Sequence, residues 1–150
     1  KDTAMTTPLA SRYLEALADR LGLDALEDPD GDIVIRKGGL TFLALLDATR
    51  DPEYLRLILS FPAPAQSIPH DALCTVANGV NRRQKGACVT IGDEGQLIIT
   101  SEMLVAPPNC LPSADHLAAV LPRTLSMLIA AARTLTTDLA ILELEASLNE

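Results

Sequence analysis

The chain has no tryptophan, and its aromatic residues are two tyrosines and two phenylalanines among 150 residues. A core of that size has to be filled with Leu, Ile, Val and Ala, which favours helices laid on a sheet and leaves no aromatic platform on which bases could stack. Cations are scarce as well: 12 Lys and Arg stand against 20 Asp and Glu, a net charge of −8. Lys and Arg that neutralise phosphates supply most non-specific nucleic-acid affinity, so such a chain is repelled overall by nucleic acid. The local exception is the basic spot Arg82, Arg83 and Lys85. Cysteine is limited to Cys74, Cys88 and Cys110, an odd number with neither a CxxC nor a His-spaced metal pattern. They read as reduced, buried thiols. No stretch reaches the roughly 18 uncharged apolar residues of a membrane span, and Lys1-Asp2-Thr3-Ala4-Met5 lacks the apolar region of a signal peptide. A cytoplasmic location is the resulting expectation.

What is present is alternation and punctuation, in a length that predicts one domain. Thr7-Pro8 is a helix start, an oxygen cap followed by Pro at the first helical position, and Leu9, Tyr13, Leu17 and Leu21 then fall on one face until Gly22. Residues 23–28 predict a first strand, Pro29-Asp30-Gly31 a turn, and residues 32–37 a second strand. Gly38-Gly39 reverses the chain into a third strand over 40–47, apolar on both faces and therefore expected to be central. Asp51-Pro52-Glu53 resembles a helix start, but Leu55, Leu57, Leu59 and Phe61 alternate in strand fashion, and Tyr54–Phe61 is read as a fourth strand. After Pro62, Pro64 and Pro69, a helix capped by Ser67 carries Leu73, Ala77 and Val80 one turn apart and runs to Arg83. A hairpin around Gly92-Asp93-Glu94-Gly95 follows, and Pro107-Pro108 ends the sheet. Ser113 caps a final helix in which Pro122 marks a kink or a later start. Beyond Pro122 there are two apolar rows, Leu125, Leu128, Ala132, Leu135, Leu139, Leu142 and Ala146 in one, Ile141, Leu144 and Leu148 in the other.

The element order is thus α-β(3–4)-α-β(2)-α, an α/β (α+β) arrangement with a mainly antiparallel sheet. Within that order, Asn78-x-x-Asn81 followed by Cys88-Val89-Thr90-Ile91-Gly92-Asp93-Glu94-Gly95-Gln96-Leu97-Ile98-Ile99 resembles the YbjN family, which is similar in fold to type III secretion chaperones. Gly31 to Ile35, the Gly38-Gly39 turn with Leu40 to Leu46, and Asp51-Pro52-Glu53-Tyr54-Leu55 carry the resemblance further, so that it spans roughly residues 14 to 105. Val80 stands where a bulky aromatic is more usual between the two Asn. The resemblance implies a two-layer domain, usually dimeric, that binds segments of other proteins without catalysis.

Individual residues offer sharper readings. Asn78 and Asn81 could meet a partner, but Asn near a helix end commonly bonds local backbone. His70 and Cys74, four apart, could act as base and thiol nucleophile, yet no orienting group or oxyanion site accompanies them. Asp24, Glu27, Asp28, Asp30 and Asp32 lack the glycine and glutamate spacing of a calcium loop and read as a solvated acidic hairpin. Arg82, Arg83 and Lys85 are favoured where they are by the helix dipole alone. No catalytic, cofactor or metal residue is therefore expected.

The leading expectation is a cofactor-free adaptor or chaperone-like homodimer that holds part of another protein; an accessory factor in nucleic-acid metabolism, acting through Arg82, Arg83 and Lys85, is the alternative. Ile33, Ile35, Leu57, Leu59, Val89 and Ile99 are expected on the sheet face covered by helices. Val34, Leu43, Leu45, Ile58, Ile98 and Leu104 are expected on the other, which together with Ile141, Leu144 and Leu148 is the candidate dimer or partner surface.

Overall fold

A computed structural model describes residues 5–61 and 68–149. Six strands form one antiparallel sheet in the order β1-β2-β3-β4-β6-β5, with β1 Asp24–Glu27, β2 Ile33–Lys37, β3 Leu40–Leu45, β4 Tyr54–Phe61, β5 Cys88–Ile91 and β6 Leu97–Leu104. The helices are α1 Pro8–Leu14, α2 His70–Arg83 and α3 Ala114–Leu148. Two compact units divide the chain: described residues up to Ile58 with Glu102–Thr124, and Leu59–Ser101 with the residues from Leu125 on.

In the first unit, the Thr7 hydroxyl accepts from the Ala10 N–H at 3.2 Å and Pro8 opens α1. The helix then changes character, because Glu15–Arg20 is a π-helical turn. Leu9, Tyr13, Leu17 and Leu21 advance by four, ahead of an α-helix of roughly 3.6 residues per turn. The wider i→i+5 turn takes up that drift, which keeps Leu9, Tyr13 and Leu17 buried where α1 packs on β1 and β2. In the acidic turn between those strands, the Asp28 carboxylate accepts from the N–H groups of Asp30 and Asp32, at 2.9 and 3.0 Å. Asp32 in turn accepts from the Leu46 N–H at 2.8 Å just past the end of β3. These carboxylates serve the backbone.

Cross-strand register fixes the two faces. Ala25, Ile35 and Phe42 stand opposite one another in one row, and Leu26, Val34 and Leu43 in the next. Side chains alternate in direction along a strand, so these rows point to opposite sides. Ile33, Ile35, Phe42, Ala44, Leu55 and Leu57 are all buried. The third strand ends at Leu45, two residues short of the span its composition predicts, because Leu46 already bonds the Asp32 side chain.

In the second unit α2 begins at His70 after Pro69, with no side-chain cap; the Ser67 cap expected from the sequence lies outside the described residues. Leu73, Ala77 and Val80 are buried and the helix packs on β5. Cys88 opposes Thr100 and Val89 opposes Ile99, as alternation predicts for the hairpin. Val89, Leu59 and Ile99 are buried with them. α3 opens in the first unit after Ser113, whose hydroxyl accepts from the His116 N–H at 3.1 Å, and with Pro122 inside it runs on as one helix whose residues from Leu125 belong to the second unit. Between Asp115 and Glu143 its charged residues are Arg123, Arg133 and Asp138. By length and composition alone α3 is long and apolar enough to cross a membrane, with 28% of its most apolar window buried inside the protein; Arg123, Arg133 and Asp138 keep its uninterrupted apolar runs short, as expected from the sequence.

Candidate functional site

The sheet face turned away from α1 is the first candidate. In the first unit it carries Leu26, Val34, Leu43, Leu45 and Ile58. Val34, Leu43, Leu45 and Ile58 are half-buried, Leu26 is 42% exposed and Leu104, at the end of β6, is 68% exposed. Leu26 escapes a reading of single strands. Its place beside Val34 follows only from pairing the two strands across the Asp28–Asp32 turn, where the alternation of both could have shown it.

Polar pairs border this face. The Tyr54 hydroxyl donates to the Glu102 carboxylate at 2.5 Å, and Arg56 meets the same carboxylate at 2.9 Å. That hydrogen bond, helped by the negative charge of Glu102, raises the Tyr54 phenol above its ordinary range. Arg36 faces Asp24 at 3.7 Å across the first two strands. Leu45, Leu46, Asp47, Asp51, Tyr54 and Arg56 line a recess of about 170 Å³. A more open groove of about 480 Å³ runs past Leu104, Val105, Ala106, Pro107, Leu111, Ser113 and His116. Leu111, 43% exposed, was not among the residues singled out from sequence, since nothing periodic marks it.

The second unit holds the remaining expected surface residues. Ile98 is half-buried, whereas Ile141, Leu144 and Leu148 are 51%, 60% and 76% exposed. The other row of α3 goes inward: Leu125, Leu128, Ala132 and Leu135 are buried, and Leu139, Leu142 and Ala146 half-buried.

The chemical candidates resolve differently. Cys74, Cys88 and Cys110 are all exposed, which corrects the expectation of buried thiols: Cys74 lies beside the Leu73–Ala77–Val80 stripe rather than on it, and Cys88 is on the sheet face opposite Val89. The Cys74 sulfur is 3.5 Å from the His70 Nε2, with both residues exposed. Among the described residues no group of three His, Cys, Asp or Glu side chains is placed to hold a metal ion. Arg83 is engaged: its Nε–H donates to the Gly79 carbonyl at 3.1 Å and its guanidinium pairs with Asp138. Arg82 and Lys85 are exposed. Asn81 serves the backbone of Val89, as the structural reading expects, while Asn78 is exposed.

Two of the solved structures that share this fold illustrate the similarity. One is YbjN from E. coli, described as "a putative transcription regulator", with 12% identity, 92% of this chain and 96% of that chain covered, and a TM-score of 0.60. The other is a chain from the HopA1–SchA chaperone–effector complex, with 16% identity, coverage of 83% and 91%, and a TM-score of 0.56. Comparison with curated proteins returns no match. Residues 12–137, across both compact units, match the family described as "YbjN: Putative bacterial sensory transduction regulator". The chain belongs to the YbjN family.

Proposed function

We propose that the chain is a non-enzymatic, chaperone-like adaptor, cytoplasmic and cofactor-free, that works as one domain and as a homodimer to hold a segment of another protein on apolar surface. The observation that carries this reading is the outer sheet face of the first unit, where Leu26, Val34 and Leu43 lie in one row with Leu45 beyond it. Apolar area left in water forfeits roughly 25 cal/mol per Å², and an apolar patch of neighbouring side chains is a mark of interaction surface. Its border suits a second copy, because Asp24 with Arg36 and Glu102 with Arg56 supply both signs of charge. A two-fold interface can then match each sign with its opposite. The groove past Leu104 and Leu111 remains for a partner. Fold similarity to a chain of a chaperone–effector complex supports a protein partner.

Light scattering at tens of micromolar is expected to give a dimer, and Leu43→Asp or Leu45→Asp a monomer. A photo-reactive residue at Leu104 is expected to crosslink in cells to a protein other than this chain, and one at Asp30 is not. A wild-type monomer rejects the homodimer, and crosslinks at neither position reject the adaptor. Salt-sensitive DNA or RNA binding abolished by Arg82→Ala with Lys85→Ala replaces the reading with the nucleic-acid one.

A further inference from the structure

The end of α3 has an apolar face that the described residues leave largely exposed, with charge of one sign around it. Leu135, Leu139, Leu142 and Ala146 form the inward row. At about 100° per residue, Ile141, Leu144 and Leu148 sit roughly 160° around the helix from that row. They are among the most exposed large apolar side chains of the protein. Their steps of three and four are the spacing that lets a second helix seat its own side chains between them.

The borders identify what fits. Glu143 lies roughly 100° to one side of Leu144 and Glu145 roughly 100° to the other. No Lys or Arg follows Arg133 in the sequence. Asp138, the next carboxylate back, is matched by Arg83, whereas among the described residues no ion pair engages Glu143 or Glu145. α3 has no basic residue in its last turn, so these two carboxylates stand near the negative end of the helix dipole with no paired cation among the described residues. We infer that this stripe docks a basic amphipathic helix of the partner protein, with apolar anchors one turn apart and Lys or Arg along both borders. Such a helix covers the three exposed side chains, pairs both glutamates and brings cations to the helix C-terminus. A second copy of α3 would instead set glutamate against glutamate, and an anionic lipid surface would meet the same carboxylates.

This inference rests on the reading that the chain binds other proteins, and it names the chemistry of one segment. The probe is a labelled synthetic amphipathic helix with Leu at alternating steps of three and four and Lys on both borders, compared by fluorescence anisotropy with a twin carrying Glu in place of Lys. The wild-type protein is expected to bind the Lys peptide at least about tenfold tighter than the Glu twin, with Leu144→Asp removing most of that affinity. Glu143→Lys with Glu145→Lys should invert the preference. Leu43→Asp should leave peptide binding unchanged, so a failed dimer and a failed tail site are told apart. Equal binding of both peptides, or binding indifferent to the tail variants, overturns the inference. So does a drop in light-scattering mass for Leu144→Asp, which assigns the stripe to a second copy. Binding to phosphatidylcholine–phosphatidylglycerol vesicles that Leu144→Asp abolishes overturns it in favour of a membrane.

Discussion

Asn81 grips the backbone of Val89 from both sides: its Oδ1 accepts from the Val89 N–H at 2.6 Å and its Nδ2 donates to the Val89 carbonyl at 3.0 Å. The amide side chain does for Val89 what a further strand would do, at the edge of the sheet where β5 has none. It thereby fastens the last turn of α2 to the start of the hairpin. Asn81→Ala leaves both backbone groups of a buried residue without a protein partner and is expected to lower stability by about 1–3 kcal/mol, read from the urea midpoint. Asn81→Asp keeps the acceptor but sets a carboxylate against the Val89 carbonyl, and should recover only part of the loss.

Gly86 is held at φ 68°, and a Cβ there would stand 2.5 Å from the Met127 sulfur. Gly86→Ala is therefore expected to cost about 1–2 kcal/mol, through the left-handed backbone and the crowding together. Adding Met127→Ala relieves only the crowding. Stability in the double variant that matched Met127→Ala alone would show that the backbone term is absent.

The Tyr13 hydroxyl is fully buried and has no hydrogen-bond partner among the described residues. Burial raises its phenol well above the ordinary value of 10.0. A folded-state value above the unfolded one contributes stability that is fully present below pH 10 and lost as pH rises toward the folded value. Tyr13→Phe removes the unpaired hydroxyl and is expected to hold or gain stability, by about 1 kcal/mol near neutral pH. It should also flatten the alkaline decline above pH 10, which thermal melts between pH 8 and 11 would reveal.

Tyr54 and Tyr13 are the two tyrosines of the chain. Tyr54, bonded to Glu102, titrates above an ordinary phenol. Glu102→Gln is expected to bring the first tyrosinate absorbance step down in pH, while the step belonging to buried Tyr13 stays in place. An unmoved first step would mean that the Tyr54–Glu102 bond does not persist in solution.

The legible parts of this protein were those where one period holds. Ile33 and Ile35 alternate in step with their strand, and the alternation of Leu55, Leu57 and Leu59 outweighed the helix start that Asp51-Pro52-Glu53 resembles, so the buried face of both strands could be read from residue order. Thr7-Pro8 and Ser113 announced their helices because capping is a matter of a few adjacent residues. What escaped was set by neighbours distant in sequence or by local competition. The π-helical turn is visible only as a row stepping by four, the exposed Leu26 only through its register with Val34, and the exposure of Cys74 and Cys88 only through which side of α2 and β5 is covered. Periodicity of α3 separated its two apolar rows, but only the exposure of Ile141, Leu144 and Leu148 distinguishes a face in need of a partner from one that is core.

The strand order also sets a timetable for synthesis. β1 to β4 follow one another as neighbours in both sequence and sheet, whereas β4 receives its second neighbour, β6, only after α2 and β5 have been made. Contacts between distant stretches close later than local ones, because a longer loop must first be ordered. A nascent chain that has emerged as far as Phe61 therefore presents one free edge of β4, eight residues long and rich in leucine, until Leu104 has left the ribosome. Open edges of that kind recruit other chains. A fragment ending before Leu97 should aggregate on release, and the same fragment should regain solubility when β6 is supplied in trans as a peptide.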